Sequence, residues 1–213
     1  VRLADQVAQL LDGAGDDGVA PIVVAGDPVL RTAATLYDGE LDRATFAALV
    51  ALMRRTMHKA PGVGLAAPQI GLGLALAVVE DPGVDHPDLA VARERFPLEF
   101  RVLVNPRCEP VGDCQVGFYE GCLSVPGYAA VVARFRQVHL TCVDDDGMPV
   151  DEVLTGWPAR IVQHETDHLV GTLYVDRAQP RSLAASASWG GHWAAEPVPR
   201  TAAAELGFSI EDS

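Results

Sequence analysis

The chain has no long hydrophobic run. Its longest apolar stretches, such as Leu72 to Val79, fall far short of the roughly 20 residues a bilayer crossing needs. Positive charge is scarce as well: 16 Lys and Arg stand against 29 Asp and Glu, a formal net charge of −13. That excess repels phosphate backbones and excludes a free-standing nucleic-acid binder, direct DNA binding included. Lysine is nearly missing, with Lys59 standing alone. No C-x-x-C pair occurs among Cys108, Cys114, Cys122 and Cys142, and a chain of 213 residues, 49% hydrophobic, can build its core without disulfides. Three of these cysteines, Cys108, Cys114 and Cys142, read as small buried hydrophobes. The N-terminal region carries an acidic, Gly-rich stretch, Asp12 to Asp17, in place of a basic patch and an apolar run. The expectation is a soluble cytoplasmic protein without membrane contact.

The chain reads as a single domain. Residues 1–20 form an N-terminal extension, with a short helix over Leu3 to Leu11 and a loop over Gly13 to Gly18. From Asp42 to Lys59, Phe46, Leu49, Val50, Met53 and Met57 recur at helical spacing, which predicts one buried face. Asp42 is placed to cap this helix, and Pro61-Gly62 to stop it. Strands are expected at Leu74–Glu80 and Phe100–Asn105, with Asp81 to Pro97 as a surface excursion. Val138, Leu140 and Cys142 alternate with His139 and Thr141 ahead of Asp145-Asp146-Gly147, so 136–154 predicts a hairpin with His139 facing outward. A helix is expected over Pro158 to Val170, with Thr155 or Trp157 as cap and Gly171 as its end. The tail, 179–213, is rich in Ala, Ser, Gly and Pro and reads as irregular, apart from a short periodic stretch at Thr201–Leu206.

The most informative segment is Gln163-His164-Glu165-Thr166-Asp167-His168. Residues four apart on a helix share one face, so His164 and His168 can present two imidazole nitrogens to one ion. Glu165 sits beside the first ligand, placed to serve a water rather than to bind the metal. A catalytic site needs a third protein ligand and an open fourth position. Downstream of His168 the one histidine is His192, in a Gly-rich loop, and Glu196 and Glu205 have no supporting pattern. The third ligand is therefore expected upstream.

Two further motifs lie upstream. Glu120-Gly121-Cys122-Leu123-Ser124-Val125-Pro126-Gly127 has glycines that let its backbone turn and approach other groups closely. Gly62-Val63-Gly64-Leu65-Ala66-Ala67-Pro68-Gln69 lacks the Lys-Ser/Thr ending of a phosphate loop and reads as small residues packed around one amide. Together with Gln163 to His168, and in this order, these segments resemble the signatures of the peptide deformylase family. The resemblance continues at Gly26 to Arg31, Val104-Asn105-Pro106 and Leu169 to Arg177, and covers about residues 21–178.

The resemblance implies an α+β fold, with antiparallel sheets packed around a central metal-binding helix. It implies that Cys122 completes a Cys122, His164, His168 site for one divalent metal. The ion expected is iron(II), with zinc, nickel or cobalt able to replace it; a thiolate ligand favours such softer ions. The activity implied is hydrolysis of the N-formyl group from the first methionine of nascent polypeptides, releasing formate. Glu165 would move the proton, while the Gln69 amide and the Leu123 backbone N–H would stabilise the oxyanion. Val63, Gly64 and Gly121 would line the cleft for an extended peptide. Tyr128, Ile161 and His164 would form the methionine pocket, and Arg134 would contact the substrate backbone. Glu120 would hold the cysteine loop through hydrogen bonds, and Asp167 would be structural.

The chain departs from the family pattern in two places. Ala129 and Ala133 stand where some members carry an arginine and the proline of a Pro-Arg pair. The tail carries Arg181 and Arg200 against Glu196, Glu205, Glu211 and Asp212, so any ribosome contact would not use a basic C-terminal helix. Two rivals differ in class. A general H-E-x-x-H zinc peptidase would need His192 or a tail glutamate as ligand. A non-catalytic binder would not need the full set of Cys122, His164, His168, Glu165 and Gln69.

Overall fold

The computed structural model describes residues 2–15 and 17–210. Asp16, within the expected Gly13–Gly18 loop, and the tail acids Glu211 and Asp212 lie outside the described residues. In chain order the elements are α1 (Leu3–Asp12), α2 (Arg43–Lys59), β1 (Gly64–Ala66), β2 (Leu76–Asp81), α3 (Pro87–Ala92), β3 (Leu98–Pro110), β4 (Gln115–Cys122), β5 (Val125–Phe135), β6 (Gln137–Val143), β7 (Pro149–Thr155), α4 (Trp157–Leu169), β8 (Ala184–Ala185), α5 (Ser186–His192) and α6 (Arg200–Leu206).

Two antiparallel sheets result, one ordered β1-β2-β3-β6-β7 and one ordered β4-β5-β8. The alternation of β2 decides what each face of the larger sheet meets. Leu76 and Val78 pack with Leu49, Leu52 and Met53 of α2, whereas Ala77 and Val79 pack with Ile161, Val162 and Leu169 of α4. Helix α4 therefore lies on the face opposite α2, where it also meets the smaller sheet through β5. This is the α+β arrangement expected, with a central helix between antiparallel sheets.

Asp42 caps α2 as its chemistry suggests, its carboxylate accepting from the N–H groups of Ala44 and Thr45 at 2.9 and 3.0 Å. In α4 the cap differs from expectation. Neither Thr155 nor Trp157 serves; Gly156 occupies the position at φ 68°, a backbone that favours glycine, and Pro158 follows inside the first turn. An added Cβ at Gly156 would lie 2.4 Å from Glu94 Cβ. The surface excursion contains the short helix α3, and β4 and β5 form a long hairpin that period-2 patterning does not reveal. His139 faces outward as expected, its ring paired with Asp151 at 2.8 Å.

The helix expected over Leu3 to Leu11 and the periodic stretch at Thr201–Leu206 are present as α1 and α6, and both ends of the chain pack onto the domain between them. Helix α1 packs on α2 with Val7 fully buried. Beyond residue 179, β8 adds to β5 at Tyr128 and Ala129, and α6 buries Ala202 against Tyr119, Ala129 and Val131. Tertiary packing orders a segment whose own periodicity is weak. Among the described residues, no helix is long and apolar enough to cross a membrane.

Candidate active site

Helix α4 places His164 and His168 one turn apart, their ring centroids separated by 5.2 Å. Cys122 arrives from the other sheet, at the end of β4, where a register shift between Gly121 and Cys122 turns the strand. The Cys122 Sγ lies 3.3 Å from His168 Nε2, and the ligand atoms of Cys122, His164 and His168 all fall within 4.8 Å of one another. Among the described residues this is the one cluster of three such groups. His192 is not part of it: its exposed ring bonds the Ser188 carbonyl at 2.9 Å. One thiolate and two imidazoles make a borderline-soft donor set that suits a divalent transition metal with a fourth position left open. His168 fits that role further, because burial, and then the neighbouring His164, hold its pKa well below the usual value and keep the ring neutral.

The His164 ring is oriented by Glu120, whose Oε2 lies 3.0 Å from His164 Nδ1 and leaves Nε2 for a metal. Glu120 is itself buried and would be costly if unpaired. Arg134 grips it bidentately at 2.9 Å for each bond, and Arg160 adds a third contact at 2.6 Å. Burial would raise its pKa, but Arg134, the His164 hydrogen bond and Arg160 together hold the carboxyl well below the ordinary range. Arg134 extends the network to Asp167, which Arg177 grips from the other side at 2.8 Å per bond. Asp167 thus anchors the helix rather than facing the cleft.

Glu165 is 4% exposed, and its Oε2 has no partner among the described residues. Burial pushes its pKa up to about 7, with His164 opposing. Such a carboxyl is poised to gain and lose a proton near neutral pH. Gly64 makes room for it: an added Cβ there would sit 2.2 Å from Glu165 Oε1.

Gln69 is buried, and its orientation follows from its partners. The Ala66 N–H can only donate, so the atom 2.8 Å away must be the amide oxygen Oε1. Nε2 is thereby turned toward the site, its two N–H groups directed at Cys122 Sγ at 3.6 Å and Ser124 Oγ at 3.4 Å, both long contacts.

These groups open onto a cleft of about 720 Å³. Val63, Gly64, Gln69, Gly121, Cys122, Leu123, Tyr128, Ile161, His164 and Glu165 line it; His168 lies beneath, 1% exposed. Arg134 does not. It is 3% exposed, with its guanidinium committed to Glu120 and Asp167, so the expected contact with a substrate backbone is corrected to a buried ion-pair role. Several lining residues were missed, Trp157, Arg93 and Trp189 among them. Trp157 could have been found, since it lies one turn before Ile161 on the face that carries His164 and His168. Arg93 and Trp189 carry no sequence signal and reach the cleft through tertiary packing alone.

Comparison with known proteins points to one family. The model of the family described as Polypeptide deformylase matches residues 19–184. Peptide deformylase 1 of Streptomyces coelicolor is 57% identical over 99% of this chain and 94% of its own length. The peptide deformylase of Bifidobacterium adolescentis is 49% identical over 99% of this chain and 96% of its own. Among solved structures, a class I type b peptide deformylase from Acinetobacter baumannii with Met-Ala-Ser bound aligns at a TM-score of 0.64 and 34% identity, covering 75% of this chain and 98% of that one.

Proposed function

This chain belongs to the polypeptide deformylase family, and from that membership we propose how its residues divide the work. It is a metal-dependent hydrolase that removes the N-formyl group from the N-terminal formylmethionine of newly made polypeptides, releasing formate and a free amine. The observation that carries the residue assignment is the convergence of Cys122, His164, His168, Glu165 and Gln69 at one end of the cleft.

Cys122, His164 and His168 hold one divalent metal, which when bound supplies the Lewis acidity that makes a water nucleophilic near neutral pH. Glu165 accepts a proton from the attacking water and returns it to the leaving nitrogen as the C–N bond breaks. Gln69 Nε2–H and the Leu123 backbone N–H face the formyl oxygen as it gains charge. Gly121 and the stretch Val63–Gly64 hold the peptide extended along the edge strands β4 and β1, and Ile161, Tyr128 and His164 receive the methionine side chain. The buried Arg134 and Arg160 keep Glu120 ionised, and Glu120 keeps His164 in its ligating orientation.

Iron(II) is the proposed ion, with zinc, nickel and cobalt suited to the same donors. The proposed setting is the cytoplasm, where nascent chains are met. Any ribosome contact uses a surface other than a basic C-terminal helix, because α6 carries Arg200 and Glu205 in seven residues. Anaerobic purification with metal analysis, followed by formate release from a formylmethionyl peptide, tests the assignment. One equivalent of metal lost in Cys122→Ala, and turnover by the iron-loaded parent, are expected. A folded, iron-loaded chain that released no formate would overturn it.

A further inference from the structure

The smaller sheet has two faces, and the C-terminal segment covers one of them. Side chains alternate along β4. Glu120 turns toward His164, Arg134 and Arg160, whereas Tyr119 turns to the opposite face and packs with Ala129, Val131, Ala202 and Trp189. The Trp189 and Tyr119 rings lie 6.3 Å apart at 53°, and both residues line the cleft. Arg93 ties the segment down by donating to the carbonyls of Ala194, Glu196 and Pro197 at 3.5, 2.7 and 3.2 Å. The Trp189 Nε1 is buried, so the indole turns ring carbons rather than its N–H toward the cleft.

We propose that Trp189 reads the second residue of the peptide and favours an apolar or aromatic side chain there. The proposal rests on the deformylase reading above. Strand β4 is an edge, and a peptide paired with an edge sends successive side chains to opposite faces of the sheet. The first side chain enters on the face of His164 and Ile161. The second emerges on the face of Tyr119, where the tail has built a wall. Part of a leucine side chain buried against an indole shifts an affinity by about five- to tenfold.

The test compares formyl-Met-Leu-Ser with formyl-Met-Gly-Ser on the metal-loaded full-length protein. The leucine peptide is expected to show a KM about five- to tenfold lower at similar kcat. Trp189→Ala should erase that ratio by raising the KM of the leucine peptide to that of the glycine peptide, and Trp189→Phe should keep most of it. If Trp189→Ala melts early, Trp189→Gln retains bulk against Tyr119 and takes its place. Calorimetric binding of the products Met-Leu-Ser and Met-Gly-Ser gives the same ratio without turnover, so a failure of the deformylase reading and a failure of this one are told apart. An unchanged ratio in the variants, or an equal loss for both peptides, would overturn the proposal.

Discussion

Gly64 and Glu165 occupy space that only a hydrogen side chain allows them to share: a Cβ at position 64 would sit 2.2 Å from Glu165 Oε1 and 2.6 Å from its Cδ. The carboxylate is buried and held by its surroundings, so it cannot swing out to solvent cheaply. Gly64→Ala should therefore displace Glu165 while leaving the metal ligands in place. Formate release is expected to fall by about 10²-fold or more, with metal content near the parent value. Normal turnover in the folded variant would mean that Glu165 does not move the proton from this position.

Arg134 joins two buried carboxylates, Glu120 and Asp167, each of which has one further arginine partner, Arg160 and Arg177 respectively. Breaking a buried pair by removing one partner typically costs about 3–5 kcal/mol, because a charge is left uncompensated. Arg134→Met is expected to lose stability toward the low end of that scale in urea denaturation, because Arg160 and Arg177 still pair the two carboxylates. It should also lose metal affinity, since Glu120 then keeps only the Arg160 bond of the three arginine bonds that hold it beside His164. Loss of activity at parental stability would instead favour a direct substrate contact.

The metal helix was legible because its information is local. His164 and His168 are four residues apart on an amphipathic turn, and that spacing dictates a shared face before any fold is known. The larger sheet was legible in part, through the alternation of Val138, Leu140 and Cys142. Cys122 was not legible from spacing: it joins the histidines only because β4 and α4 come together across 42 to 46 residues of sequence, and the ordered motifs pointed to it. Arg134 misled for a related reason. A motif match identifies a position, but whether a guanidinium faces a cleft or a buried carboxylate depends on strand parity, which the glycine-rich start of the hairpin obscures. Trp189 was silent because a tail of weak periodicity acquires its helices from the surface it packs on.

Cys108 and Cys142 set an alkaline limit on stability. Burial, as the first cause in each, pushes both thiols up to about 11 from an ordinary value near 9. The sign follows from linkage: between those values the unfolded chain has released protons that the folded chain retains, so stability falls as pH rises. Their contribution is complete below pH 9 and is lost progressively toward pH 11. The Cys108→Ala/Cys142→Ala double variant should show a smaller drop in urea midpoint between pH 8.5 and 10.5 (about the span of the two values) than the parent. Equal slopes would show that neither thiol titrates with folding.

Gln69→Glu isolates one donor with almost no change of shape. The substituted carboxylate can still accept from the Ala66 N–H, which holds the side chain in place at 2.8 Å in the parent. What disappears is the N–H turned toward the site, replaced by an oxygen that repels a developing oxyanion. Loss of one such donor typically costs about 2.7–4 kcal/mol in the transition state, or roughly 10²–10³ in kcat. KM should move little, because the donor is aimed at charge that appears only as the carbonyl is attacked. Gln69→Ala removes the donor and the Ala66 bond together, so it should add a loss of stability to a similar loss of kcat. A glutamate variant with parental kcat would assign Gln69 to holding the Ala66 turn, and leave the Leu123 N–H as the protein's own donor to the oxyanion.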